Sequence, residues 1–448
     1  MKKGHGILYG LFALGLLANT GALAAGLSDR AALPDAMALP TTLLSRIDAR
    51  VIAAIADGDF VAGSYASGEL APLAEGYRDS LLLLRRSTDR WQWESLPVSN
   101  SVTAPPEVLR LSAGGDTAFV VERLAQRDTG ATRIAELAPG RRLFAVSLTD
   151  TPAALSDTVE LADYPEALDV SPDGRAVAVV SNRDGESYLH LVPFADQSFG
   201  STQTVSLGAL LNESGLYASN VAWHPSGRRL AINLNTSDRV LFLALERGED
   251  NAWSVVPWGQ PVTVGRDPFV GRFTPDGRYY ITSDWGRDFS ANTLATRLPQ
   301  QPSGLSVVRL AEMESTTPRH RVVDNARSGL SAEGLAVSPD GRFVATINMR
   351  GTPFPEASPR FHDQASISLF RFDAASGKLA KVGDTYFAGV LPEGGVFDAS
   401  GNHFLASVFE YREAHGGGIE VFRVADTGLQ PVGRIAMPHG VHHVDIAR

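Results

Sequence analysis

One strand–turn–strand unit recurs along this chain, and that recurrence restricts the possible folds more than any other feature. An apolar run leads into a tight turn containing glycine, and a second run of alternating β-formers follows. The unit reads LDVSPDGRAVAVVSN at 168–182, VAWHPSGRRLAINLN at 221–235 and GRFTPDGRYYITSDW at 271–285. It returns as LAVSPDGRFVATINM at 335–349, GVFDASGNHFLASVF at 395–409 and, more weakly, LRLSAGGDTAFVVER at 109–123. The turn glycines Gly115, Gly174, Gly227, Gly277, Gly341 and Gly401 are separated by 59, 53, 50, 64 and 60 residues. Turn chemistry explains the spelling. Pro presets φ, Asp or Ser bonds its own backbone, and Gly takes the positive φ that other residues resist.

Further β-runs complete the repeats at Tyr188–Phe194, Val240–Leu245, Leu305–Leu310, Ile367–Phe372 and Ile419–Val424. A period of this length holding about four short strands is the size of a propeller blade with insertions. The sequence thus predicts an all-β fold: a seven-bladed β-propeller of four-stranded antiparallel blades. The seventh blade is shared between the chain ends. Val441–Ile446 is expected to close the ring beside strands at Phe60–Tyr65, Ser80–Arg86 and Trp91–Leu96, leaving no open sheet edge. Val51–Ile55, followed by Asp57-Gly58-Asp59, looks like one more turn of the same kind and carries an alternative of eight blades.

Residues 1–25 stand apart from the repeats. Lys2 and Lys3 precede a short apolar stretch from Ile7 to Leu17, and Ala22-Leu23-Ala24 supplies a small-x-small cleavage pattern. This is the expected form of a signal peptide, so the protein should be periplasmic or secreted. Residues 26–40 read as a lead-in and 41–448 as a single propeller domain, with no transmembrane segment left after cleavage. The absence of cysteine suits an oxidising compartment. It also removes disulfides, thiolate nucleophiles and cysteine-bound metals. The net charge of -10 becomes -12 once Lys2 and Lys3 are lost, and such a balance disfavours nucleic acid and anionic lipid as partners.

A second landmark lies six residues ahead of each turn Pro, or of the Ala that replaces it. There, at the head of the inner strands, stand Glu107, Glu166, Ser219, Phe269, Glu333 and Glu393. If the repeats superpose, four carboxylates from four blades gather at one end of the central channel. Crowded carboxylates raise one another's pKa, recruit a cation or bond backbone amides. Glu166, Glu333 and Glu393 are the candidate ligands for a divalent cation, with calcium the best match to a carboxylate set of irregular geometry. Glu107 and Glu166, with His443, Arg350 and Asn348, are candidate ligand-binding residues. His439, which follows Pro438 at the head of the last inner strand, is the candidate general base, with Glu393 and Glu333 as its catalytic partners. His442 and His443 point to opposite faces of a strand and cannot both serve one site.

These segments resemble the lactonase-type propellers, also known as YVTN-repeat or 6-phosphogluconolactonase-like proteins. The likeness is carried by SNRDGESYLHLV at 181–192, ASISLFRFDAASGKLAKVGD at 365–384, LPEGGVFDASGNHFLAS at 391–407 and GGIEVFRVADTGLQPVG at 417–433. It implies a seven-bladed ring and a lactone-hydrolysing activity at the channel mouth. The family commonly places His or a basic residue after the Pro at the strand heads. Here only His439 does so, and Glu fills four of the places, so a sugar phosphate would meet an acidic mouth. Two function classes follow: a lactonase-like hydrolase, or a non-catalytic module holding a small-molecule ligand or a periplasmic protein. No G-x-S-x-G or H-E-x-x-H motif adds a further enzymatic reading.

Overall fold

The computed structural model describes residues 39–448, apart from 89, 129 and 249–251 and the side chain of Leu294. The expected signal peptide, and the lead-in up to residue 38, lie outside the described residues. Residues 39–448 form one compact unit.

Seven four-stranded antiparallel sheets are arranged as blades, each running outward from an inner strand. The inner strands of blades two to seven are Leu109–Leu111, Pro165–Val170, Ala218–Trp223, Pro268–Phe273, Ala332–Val337 and Gly395–Phe397. Blades three and four each carry one extra two-residue strand. Among the described residues no helix is long and apolar enough to cross a membrane.

The repeated turn is built as its spelling requires. In blade three the Ser171 hydroxyl donates to Asp173 at 2.6 Å and accepts from the amides of Arg175 and Ala176, while Gly174 sits at φ +71°. Thr274 with Asp276 and Ser338 with Asp340 repeat the same contacts in blades five and six. These turns lie at one end of the ring, here called the bottom. The strand heads bearing the glutamates, and the connections from second to third strands, lie at the top.

Blade one is where the chain ends meet, and there the strand assignment differs from the sequence expectation. Its order outward is Val441–Ala447, Val51–Ala56, Ser80–Ser87 and Arg90–Pro97. Val51–Ala56 therefore belongs to the closing blade and founds no eighth one. All six of its residues are buried, with Ile52 opposite both Leu84 and Ile446, and Ala54 opposite Leu82 and Val444. Phe60–Tyr65 is not a strand. Asp57 turns the chain by accepting the Asp59 and Val102 amides, and Ser64–Ser67 forms a single helical turn. An all-apolar run with small alanines fits between two sheets' side chains, whereas Gly63 and Ser64 interrupt any strand through 60–65.

Candidate functional site

The channel carries two tiers of charge. The lower tier consists of Arg110, Asp169, Arg272 and Asp445, from blades two, three, five and one; the first three sit two residues before the first hydroxyl of their turns. Arg110 approaches Asp169 at 3.4 Å. Each aspartate also ties its blade to the next, Asp445 accepting the Leu111 amide at 2.8 Å and Asp169 the Trp223 amide at 2.7 Å. Glu107 reaches into this tier and is held by the guanidinium groups of both Arg110 and Arg272. His443 sits here as well, with Nε2 against the Leu109 carbonyl at 3.1 Å and Nδ1 without a partner. Burial first, and then the two arginines, push its pKa far below the ordinary histidine value.

The upper tier lies at the strand heads. Arg123 binds Glu166 through Nε at 2.8 Å and donates to the Tyr217 hydroxyl at 3.1 Å, which in turn donates to Glu166 at 3.2 Å. Across the mouth, Arg287 is locked to Asp267 by Nε at 2.8 Å and Nη2 at 3.0 Å. Its guanidinium stacks within 4.2 Å of the Trp285 ring centre and 4.3 Å of Phe269. It stays near enough to Glu333, Tyr217 and Tyr65 for its charge to act on all three.

Glu333 and Glu393 have weaker support. Glu333 is 1% exposed and Glu393 0%, and one oxygen of each, Oε2, has no hydrogen-bond partner. Burial raises Glu333 to about 8, against the counter-pull of Arg287. Burial, and then the charge of Glu333, raise Glu393 well above the usual carboxylate range. The Tyr65 hydroxyl donates to Glu393 Oε1 at 2.9 Å. His442 Nδ1, also unpartnered, lies 4.0 Å from Glu393 Oε2, while its Nε2 meets Asn100 Oδ1 at 2.8 Å. Desolvation drops His442 to about 3, so it is neutral through the physiological range. The two carboxyls are electrostatically coupled, so ionising Glu333 disfavours ionising Glu393.

The other candidates fall elsewhere. His439 is not beside Glu393. It stacks on Tyr77 at 4.0 Å, places Nε2 on the Phe60 carbonyl at 2.8 Å and faces Glu410 at 3.7 Å. Asn348 is buried, bonding Thr346, Ser366 and Ser368 of its own blade six and accepting from Ser328 in the outermost strand of blade five, a role in joining two blades. Arg350 sits on the outer part of that blade, donating to the Gln364 carbonyl and lying over Tyr386. Glu166, Glu333 and Glu393 do not offer ligand atoms to a common point. Among the described residues the one such group within 4.8 Å is Asp57, Asp59 and Asp79 in blade one. Their oxygens already accept the amides of residues 58, 59, 100, 102 and 127.

Sequence reasoning missed the arginines and Tyr65. Arg110 and Arg272 were detectable, because they occupy the same repeat position as Asp169. Arg123, Arg287 and Tyr65 lie in irregular connections, where periodicity gives no signal.

No family model matches the chain, and no curated relative does. Solved structures do. The periplasmic gluconolactonase of Pseudomonas aeruginosa is 18% identical, with 88% of this chain and 98% of that one covered at a TM-score of 0.57. The fold is similar to that of the lactonase-like propellers. A candidate 6-phosphogluconolactonase from Bacteroides uniformis matches at 15% identity over 89% and 99% of the chains, TM-score 0.56. A Lactobacillus plantarum protein matches at 14% over 88% and 98%, TM-score 0.59. Identities this low speak for the lactonase-like propeller fold and leave activity to be argued from the site.

Proposed function

We propose that this protein is an exported, lactonase-like hydrolase that opens a cyclic ester at the top of the channel. The observation that supports it is the pair Glu333 and Glu393, two buried carboxyls with raised pKa and one unpartnered oxygen each, beside the Arg287 cation. Once one of the two has lost its proton, that carboxylate takes a proton from water as the water oxygen bonds to the ester carbonyl carbon. Arg287 and Tyr65 stabilise the negative charge that develops on the carbonyl oxygen. The ring C–O bond then breaks, and the protonated carboxyl delivers its proton to the departing alkoxide. The product is a hydroxy acid, and no step needs a cysteine or a serine nucleophile.

Arg110 and Arg272 offset Glu107, and Arg123 offsets Glu166, so two of the four carboxylates that made the mouth look acidic in the sequence have cationic partners. Export is supported by the amino-terminal pattern and by the periplasmic description of the Pseudomonas neighbour.

The complete burial of Glu393 beneath Tyr65 favours a second reading, a non-catalytic module that binds a small ligand or another periplasmic protein. A lactone hydrolysis screen decides between them. The first reading expects turnover by the parent protein and a loss of about a hundredfold or more in Glu393→Gln, the usual weight of a general acid–base group. Absence of turnover in the parent on every sugar and aliphatic lactone tried selects the second.

A further inference from the structure

The top face is covered unevenly. The connections between second and third strands span 57–79 in blade one, 122–141 in blade two, 285–301 in blade five and 349–364 in blade six. The same connections in blades three and four are only 184–185 and 235–238. The long connections, with 409–416 of blade seven, fold into one apolar canopy that includes Phe60, Tyr65, Leu124, Trp285, Phe354 and Phe409. The short connections of blades three and four contribute nothing to it, and the half-buried Tyr164 lies at its rim on that side.

The canopy is pinned where it is thick. Phe60 is held by His439, the Ala62 amide donates to Glu410 at 3.3 Å, and Arg127 Nη1 donates to the Ala71 carbonyl at 2.6 Å. On the thin side stand Arg123 and Tyr217, both half-buried and joined through Glu166. Tyr217 lies between this rim and Arg287, whose charge it feels. Its hydroxyl is engaged by Arg123 and Glu166, which fixes where the ring sits, and the residue stays partly exposed.

We propose that ligands reach Glu333 and Glu393 over blades three and four, past Tyr217, and that the Tyr217 ring sets the size of what can pass. The residue is a specificity determinant and takes no part in bond making. The idea that the visitor is a cyclic ester rests on the reading above; the route does not.

Because the chain has no cysteine, a single thiol can report access directly. Glu333→Cys places it at the mouth, replacing a carboxyl that is neutral near pH 7. The probe is methyl methanethiosulfonate, small and uncharged, and the readout is the rate of thiol modification by mass. Adding Tyr217→Ala is expected to speed modification by about tenfold, as removal of a local barrier to opening does. Tyr217→Phe keeps the ring and should leave the rate unchanged. Tyr77→Ala, which loosens the opposite side of the canopy at His439, should also leave it unchanged. Acceleration by Tyr77→Ala, or no acceleration by Tyr217→Ala, overturns the route. Should Glu333→Cys fail to fold, Glu393→Cys takes its place with the same three comparisons. The measurement needs no turnover, so a protein without lactonase activity can still show the route, and an active one can still refute it.

Discussion

Glu107 of blade two and Arg272 of blade five meet as an ion pair across the central channel, 165 residues apart in the chain. Arg110 holds the other oxygen of the same carboxylate. The contact thus ties non-adjacent blades together through the space they enclose, in addition to the side-to-side packing that joins neighbours. Buried charge is costly to bring out of water, so such a pair is sensitive to loss of one member rather than to loss of both.

Glu107→Ala should therefore destabilise the protein by about 3–5 kcal/mol, because the buried Arg272 loses its ion-pair partner while Arg110 keeps only Asp169. Glu107→Leu combined with Arg272→Leu should recover much of that loss. Urea midpoints at constant slope give the comparison, and a double variant no more stable than Glu107→Ala contradicts it.

His442 and His190 should make the protein acid-sensitive well above the range where carboxylates titrate. Their folded values are about 3 and about 4, each lowered by burial from 6.5. Between those limits the unfolded chain binds protons that the folded chain refuses, so stability falls as pH falls. Each histidine contributes a slope of about 1.4 kcal/mol per pH unit. His190→Asn can still bond Ser181 or Thr204, and should flatten the acid limb by about one proton. An unchanged limb in that variant would mean the histidine is charged when folded.

The ring architecture was legible because its repeat is spelled out. Six turns with a glycine at one position, and a strand head eight residues upstream of it, set the blade period and the inner strands. What failed was local. Phe60–Tyr65 has the composition of a strand, yet the Asp57 carboxylate and Gly63 commit it to a turn, and Val51–Ala56 takes the place beside the last strand. The site was legible in its acids and not in their partners. Glu107, Glu166, Glu333 and Glu393 lie on the repeat, whereas Arg123, Arg287 and Tyr65 come from connections of unrelated length. His439 stacks on Tyr77 and faces Glu410, and it is His442, three residues further on, that comes within 4.0 Å of Glu393.

Glu333 should give the opposite pH dependence to the histidines. Its folded value, about 8, lies above the ordinary 4.5, so the folded chain holds a proton that the unfolded chain has released between those limits. The stability it confers is whole below pH 4.5 and declines as pH rises toward 8. Glu333→Gln keeps a neutral group in place and should remove about one proton's worth of that decline. Equal alkaline slopes in parent and variant would show that Arg287 keeps Glu333 ionised.

The last strand should be separable from the ring and able to return to it. Val441 and Val444 are buried opposite Ala56 and Ala54 of the second strand, and together they contribute about 3–6 kcal/mol of apolar burial. A chain ending at Met437 exposes the whole edge of Val51–Ala56, whose residues are all apolar, and such an edge pairs with other chains. The truncated protein should therefore lose its cooperative melting transition and aggregate. A synthetic peptide of residues 438–448 supplies the missing inner strand and should restore a single transition when added during refolding. The same peptide with Val444→Asp would bury an unpaired charge and should fail. Differential scanning calorimetry distinguishes the cases, and a truncated chain that melts like the parent would show that six blades close without the seventh's inner strand.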